Sequence, residues 1–282
     1  MEIAAPAKVN VCLLVAGKRA DGYHDVATVM APLTLADALT IDVREGGRGV
    51  RVSCDGAGVP RDDKNIAAQA AGAFLAASRV QAAVAIRIVK NVPVGAGLGG
   101  GSSDAAATLV ALNAHFGEPL GPDALWRIGR RLGSDVPFFL DEGWGFATGR
   151  GEFVTRVRGP AGATLLLAAP RRRVPTARVY KELAVGDYAA GVDAAWRVLA
   201  SLDAPAGEWW AAGENSLARP AGRVFAFLGE LKRALADLGY GDARLSGSGG
   251  AFAAPAGDAE EATAAAAELV ARGYWAAVTA TG

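Results

Sequence analysis

Between residues 93 and 107 the chain reads P-V-G-A-G-L-G-G-G-S-S-D-A-A-A, and five of the seven positions from Gly95 to Gly101 are glycine. Pro93 and Val94 lead in, and Ala96 and Leu98 separate the glycines. Glycine tolerates positive φ and lets another group come close to the backbone, at an entropic cost that makes so dense a cluster a poor casual turn. From Asp104 onward the pattern A-A-A-T-L-V-A-L-N-A is helical. A side-chain-free turn opening onto a helix offers unpaired amides and the positive end of the helix dipole. That combination suits a phosphate chain. Ser102 and Ser103 can add hydroxyl contacts to phosphate or magnesium, and Asp104 is expected to cap the helix.

Three readings compete for this segment. One is a plain structural turn. Another is a dinucleotide fingerprint, since Gly95, Gly97 and Gly100 satisfy G-x-G-x-x-G; but Pro93 interrupts the approach and no strand-end acidic residue follows about 20 positions later. The third is a phosphate cradle of another kind. Nothing fits G-x-x-x-x-G-K-[ST], and the H-R-D and D-F-G signatures of protein kinases are missing.

The elements that must hold the loop follow from periodicity. Residues 1–15 read as an opening strand. Residues 38–54 read as two strands around a glycine-rich turn. Asn65 starts a helical stretch, residues 82–89 form a strand, and a helix runs from about Pro122 to Leu132 into G-S-D-V-P-F-F-L. After Gly151 come a strand (A-T-L-L-L-A-A-P), a basic turn through Arg171, Arg172 and Arg173, Ala-rich helices, a short S-G-S-G-G run, and a final helix and strand. This order predicts an α+β fold with a domain boundary near residue 155.

Composition bounds the function. Of 282 residues, 51% are hydrophobic and 21% charged, so the chain can bury a core. Lys+Arg and Asp+Glu both number 29, which argues against non-specific binding to nucleic acid or membrane surfaces. Cys12 and Cys54 lack disulfide or zinc spacing, with only His24 and His115 as further soft donors, so both thiols are expected reduced. No signal peptide or membrane-span run is visible, and a cytoplasmic location is expected.

Three motifs stand in order along the chain: P-A-K-V-N at 6–10, the glycine loop, and R-L-S-G-S-G-G-A-F-A at 244–253. Together they resemble the GHMP kinases, a family of small-molecule kinases that includes the galactokinase, homoserine and mevalonate enzymes. Further segments are G-K-R-A-D-G-Y-H at 17–24, L-G-S-D-V-P-F-F at 132–139 and V-P-T-A-R-V-Y at 174–180. They resemble the branch of that family whose acceptor is a cytidyl diphosphate sugar alcohol phosphorylated on a tertiary hydroxyl. The resemblance implies a two-domain fold with the active site in the cleft between domains, ATP and Mg2+ as the phosphoryl source, and an N-terminal domain, 1–155, that binds ATP. The C-terminal domain, 156–282, is then expected to contribute to the substrate site.

The same resemblance implies roles for single residues. Asp135 matches the family base and Lys8 the lysine that polarises the hydroxyl. Asn10 matches a substrate contact, Tyr23 and Tyr180 an aromatic pair stacking on cytosine, and His24 the residue that hydrogen-bonds the base. Thr176 is a further substrate candidate. Asn65 and Lys90 match adenine-pocket positions, with Asp104 where some members carry Asn. Gly247, Ser248 and Gly249 are expected to form a second glycine turn near phosphates or substrate. Arg171, Arg172 and Arg173 read as a solvated turn, with contact to substrate phosphates as the alternative. Another GHMP kinase of homoserine or mevalonate type, or a non-catalytic nucleotide-binding relative, is the alternative function. A monomer or weak homodimer is expected.

Overall fold

The computed structural model describes residues 1–56 and 59–282. They divide into two compact units interleaved along the sequence. One unit comprises Met1–Ala7, Leu35–Val94 and Gly99–Glu142; the other comprises Lys8–Thr34, Gly95–Leu98 and Gly143–Gly282. A single cut near residue 155 does not follow these divisions, because strands β1 (Glu2–Lys18) and β2 (His24–Glu45) each run through both units.

In the first unit the end of β2 pairs antiparallel with β4 (Ala82–Val89), from Ala38↔Val89 to Glu45↔Ala82. On the other edge of β4 lies β3 (Val50–Cys54), running parallel. The two strands expected within 38–54 therefore form but do not pair with each other. β4 sits between them, and its alternating Val84, Ile86 and Ile88 face the core. Three helices cover that face: α1 (Ile66–Ser78), α2 (Gly100–His115) and α3 (Pro122–Leu132). Leu39, Ile41, Ile86 and Ile88 pack with Phe74 of α1, Leu109 and Leu112 of α2, and Ile128 of α3. Ala67, Ala70 and Ala71 of α1 and Ala105 and Ala106 of α2 join the same core; their short side chains let helix backbones come close.

The second unit holds the early part of β2, which pairs with β5 (Trp144–Thr148), itself paired with β6 (Phe153–Val157). A separate antiparallel sheet has the order β10-β7-β9-β8, formed by β7 (Thr164–Ala169), β8 (Arg244–Leu245), β9 (Phe252–Pro255) and β10 (Trp275–Ala280). The helices of this unit are α4 (Thr176–Lys181), α5 (Asp193–Ala200), α6 (Ala206–Ala212), α7 (Ala218–Val224), α8 (Ala226–Asp237) and α9 (Ala259–Ala271). Leu166 and Ala168 of β7 meet Leu231 and Leu235 of α8 and Leu269 of α9 in its core. The mixture of sheets and segregated helices is α+β. No helix among the described residues is long and apolar enough to cross a membrane.

Candidate active site

The glycine segment begins where β4 ends. Its helix starts at Gly100, one turn earlier than the sequence pattern suggests. Gly99 is the N-cap, with φ 75°, and supplies no side-chain cap. The expectation that Asp104 caps the helix is therefore wrong. Asp104 lies one turn inside α2, buried, and turns its carboxylate to Lys90. Glycines at Gly100 and Gly101 hid the helix start, because their low propensity matters least in a first turn whose amides lack intrahelical partners. That turn carries no acidic side chain. An anion there would meet amides and dipole with no acidic side chain from the turn itself; the nearby Asp37 carboxylate is held by Lys90.

Ser103 is fully buried and its Oγ has no hydrogen-bond partner. Ser102 Oγ lies 3.8 Å from where a Cβ on Gly133 would stand. Gly133 closes α3 and leads through Ser134 to Asp135, which heads a short 3-10 helix, Val136–Leu140. The first unit thus brings the start of α2 beside the turn that carries Asp135.

Lys90 and Asp104 meet in the same unit, together with a residue that sequence reasoning missed. The Lys90 ammonium reaches Asp104 Oδ2 at 2.8 Å and also bonds Asp37 Oδ2. All three side chains are nearly inaccessible. Burial alone would lower the Lys90 pKa, but Asp104 and Asp37 outweigh it and raise it. Burial also raises Asp104, an effect that Lys90 opposes and Asp37 reinforces, to about 7. Asn65, also buried, caps α1: its Oδ1 accepts from Ala67 N at 2.9 Å and its Nδ2 donates to Pro60 O at 2.9 Å.

In the second unit Lys8 is 2% exposed, within β1 rather than at its end. Its ammonium donates to Asn10 Oδ1. Asn10 Nδ2 donates to Thr28 Oγ1 at 2.8 Å, and that hydroxyl donates to Cys12 O at 2.7 Å. Ser246 Oγ accepts from Asn10 N at 3.2 Å and donates to Gly97 O at 3.0 Å. Lys8 N donates to Leu98 O at 2.9 Å, so residues 97–98 lie directly on the lysine strand. Gly97 has φ 82°, and a Cβ there would stand 2.2 Å from Ser246 O. No other residue fits, which explains one glycine of the run by packing as well as by conformation. Gly247 and Ser248 are buried in the second glycine turn. Ser248 Oγ is 2.8 Å from Thr176 Oγ1. Asn215 holds that turn by donating to Leu245 O and Gly247 O at 2.7 and 2.8 Å.

The D-G-Y-H segment makes a tight turn closed by Arg19 N donating to Tyr23 O at 2.8 Å. Tyr23 is 55% exposed, with the Arg150 guanidinium 4.6 Å from its ring centre. His24 packs against Tyr180 with ring centres 5.1 Å apart, and Tyr188 lies 6.1 Å away on the same imidazole. Burial, then Lys18, lowers the His24 pKa. That favours the neutral ring, which has one nitrogen to donate and one to accept. Arg171, Arg172 and Arg173 are exposed. Burial pushes the Cys12 thiol up to about 11, and Cys54 is also buried and free, so Cys12 is no nucleophile at neutral pH.

Of the residues missed, Asp37 had a signal: a lone carboxylate at an inward position of the apolar run L-T-L-A-D-A-L-T-I. Ser246 had one too, as the first serine of the S-G-S-G-G run; Thr28 and Asn215 had none, since short polar residues in strands and turns are common and only the tertiary contacts single these out.

The descriptions GHMP kinases N terminal domain and GHMP kinases C terminal match residues 65–143 and 198–274. With the buried Lys8 strand and the glycine-fronted α2, the chain belongs to the GHMP kinase family. A 4-diphosphocytidyl-2-C-methyl-D-erythritol kinase of Syntrophotalea carbinolica is 38% identical over 280 residues, covering 96% of this chain and 95% of its own. A solved structure titled 4-(cytidine 5'-diphospho)-2C-methyl-D-erythritol kinase matches with a TM-score of 0.85 at 36% identity, covering both chains completely. A homoserine kinase from Cytophaga hutchinsonii has a TM-score of 0.75 over 100% of this chain and 94% of its own; at 18% identity it shares the fold alone.

Proposed function

We propose that this chain transfers the γ-phosphoryl group of ATP to the 2-hydroxyl of 4-diphosphocytidyl-2-C-methyl-D-erythritol, a step of non-mevalonate isoprenoid biosynthesis. The observation that carries the reading is the start of α2: a helix N-terminus fronted by glycine, with no acidic residue in its own first turn, next to the turn bearing Asp135. The relatives' names supply the acceptor.

In this reading residues 93–104 cradle the triphosphate, with Asn65 and Lys90 flanking the adenine side. A tertiary alcohol is weakly acidic. Asp135 takes the hydroxyl proton as the oxygen attacks the γ-phosphorus, the bond to the β-phosphate oxygen breaks, and ADP leaves. Lys8, a cation held by Asn10, stabilises the negative charge that develops. Mg2+ would take its protein contacts from the Ser102 and Ser103 hydroxyls; the unpartnered, buried Ser103 Oγ is an oxygen donor suited to a hard cation. When bound with ATP, the ion neutralises charge on the phosphates. Tyr23, His24 and Tyr180 receive cytosine: rings stack on its face, and the neutral imidazole offers a donor and an acceptor to its edge. Asn10, Thr176, Gly247 and Ser248 line the remaining acceptor side.

Phosphorus NMR on a reaction of the purified chain, ATP, Mg2+ and the cytidyl acceptor is expected to show a new phosphate monoester beside an intact diphosphate. An unchanged acceptor, with homoserine or mevalonate phosphorylated instead, would contradict the assignment.

A further inference from the structure

The ladder between β2 and β4 ends at Ala38↔Val89. One residue beyond it, the backbone pairing is replaced by a side chain. Asp37 is 1% exposed, and its Oδ1 accepts from Asn91 N at 2.7 Å and Val92 N at 2.8 Å. Lys90 N donates to Asp55 Oδ1 at 2.9 Å. Three consecutive amides on the approach to the glycine segment are therefore each held by a carboxylate. The second oxygen of Asp37 bonds the Lys90 ammonium, which in turn bonds Asp104 in α2. A Cβ on Gly100, the first residue of α2, would stand 3.1 Å from Asp37 Oδ2. One buried carboxylate thus touches the strand end before residues 93–99 and the helix start after them.

We infer that Asp37 is a positioning residue for nucleotide binding, clamping both ends of the glycine loop so that the amides of α2 meet the triphosphate in fixed geometry. The inference rests on reading that loop as the ATP cradle. A charged acceptor is the right tool for this place. It satisfies two backbone donors with one oxygen and still has an oxygen to orient Lys90, which an amide or hydroxyl could not do as strongly. Small displacements of phosphate-binding groups cost much affinity and rate. The clamp's contacts all lie within the first unit and none of them is with Tyr23, His24 or Tyr180, so its effect should be confined to the nucleotide.

The test is a set of Michaelis constants for folded Asp37→Ala and Asp37→Asn chains, with both substrates varied. Asp37→Ala is expected to raise the KM for ATP about tenfold and to leave the acceptor KM within about twofold. Asp37→Asn keeps an oxygen for the two amides and is expected to recover part of that loss, which separates positioning from folding. It is also the variant to measure if the alanine chain fails to fold. An ATP KM unchanged in Asp37→Asn and Asp37→Ala, or ATP and acceptor constants rising together, would overturn the inference. Gly101→Asp distinguishes the underlying reading. It adds a carboxylate at the exposed position 101 in the first turn of α2, where it favours the helix and repels a triphosphate. If Gly101→Asp weakens ATP and the Asp37 variants do not, the clamp alone fails. If Gly101→Asp leaves the ATP KM untouched, the cradle fails and the clamp with it.

Discussion

Asp135 has ordinary right-handed backbone angles, φ −85° and ψ −13°, ahead of a 3-10 helix whose Val136, Pro137 and Phe138 are buried. The carboxylate is thus mounted on a short rigid support rather than on a free loop. Asp135→Asn keeps the shape and removes the proposed base. It is expected to lower kcat by about 10²–10⁴-fold with the fold intact; turnover at the wild-type rate would show that another group takes the proton. Candidates of this kind can be proposed from sequence because their motifs are local: P-A-K-V-N and G-S-D-V-P single out Lys8 and Asp135 without any knowledge of their neighbours. Asp37 was not, because its role depends on register. Only the pairing of Ala38 with Val89 puts it opposite residues 90–92. The Asn65 amide was legible as a helix start, and the structure uses both of its ends locally, on Ala67 and Pro60.

At the scale of the element, α2 carries both the glycine-fronted N-terminus and a buried carboxylate one turn later. Two carboxylates share the single Lys90 ammonium, so the cluster is one charge short of balance when all are ionised, and burial makes that expensive. A proton on Asp104 relieves it, in line with its pKa of about 7. The unfolded chain releases that proton near the ordinary carboxylate range, so between about pH 4 and 7 the folded state holds a proton the unfolded state lacks. Stability from this group therefore falls as pH rises through that window. Denaturant midpoints at pH 5 and 7.5 are expected to show a smaller decline in Asp104→Asn than in the wild-type chain; parallel declines would mean that Asp104 ionises freely in the fold. The element pattern itself was largely legible from periodicity. It missed the first turn of α2, because Gly100 and Gly101 look like loop. It also gave no hint that β4 would insert between β2 and β3, which depends on contacts between strands distant in sequence.

For the whole molecule, the α+β class followed from the order of strands and helices, whereas the interleaving of the two units did not. β1 and β2 each serve both, and a linear reading assigns every residue to one side of a cut. The glycine segment is divided in the same way, with residues 95–98 on the Lys8 strand and Gly99 onward in the helical unit. This split is a physical reason for the density of glycine there. Gly97 must pass within contact of Ser246 O, and Gly99 must adopt the left-handed conformation that starts α2. A crystal structure with a non-hydrolysable ATP analogue and Mg2+ tests the account most directly. The triphosphate is expected against the amides of residues 95–103, with the γ-phosphate toward the turn of Asp135. A nucleotide bound elsewhere, with those amides facing only water, would contradict it.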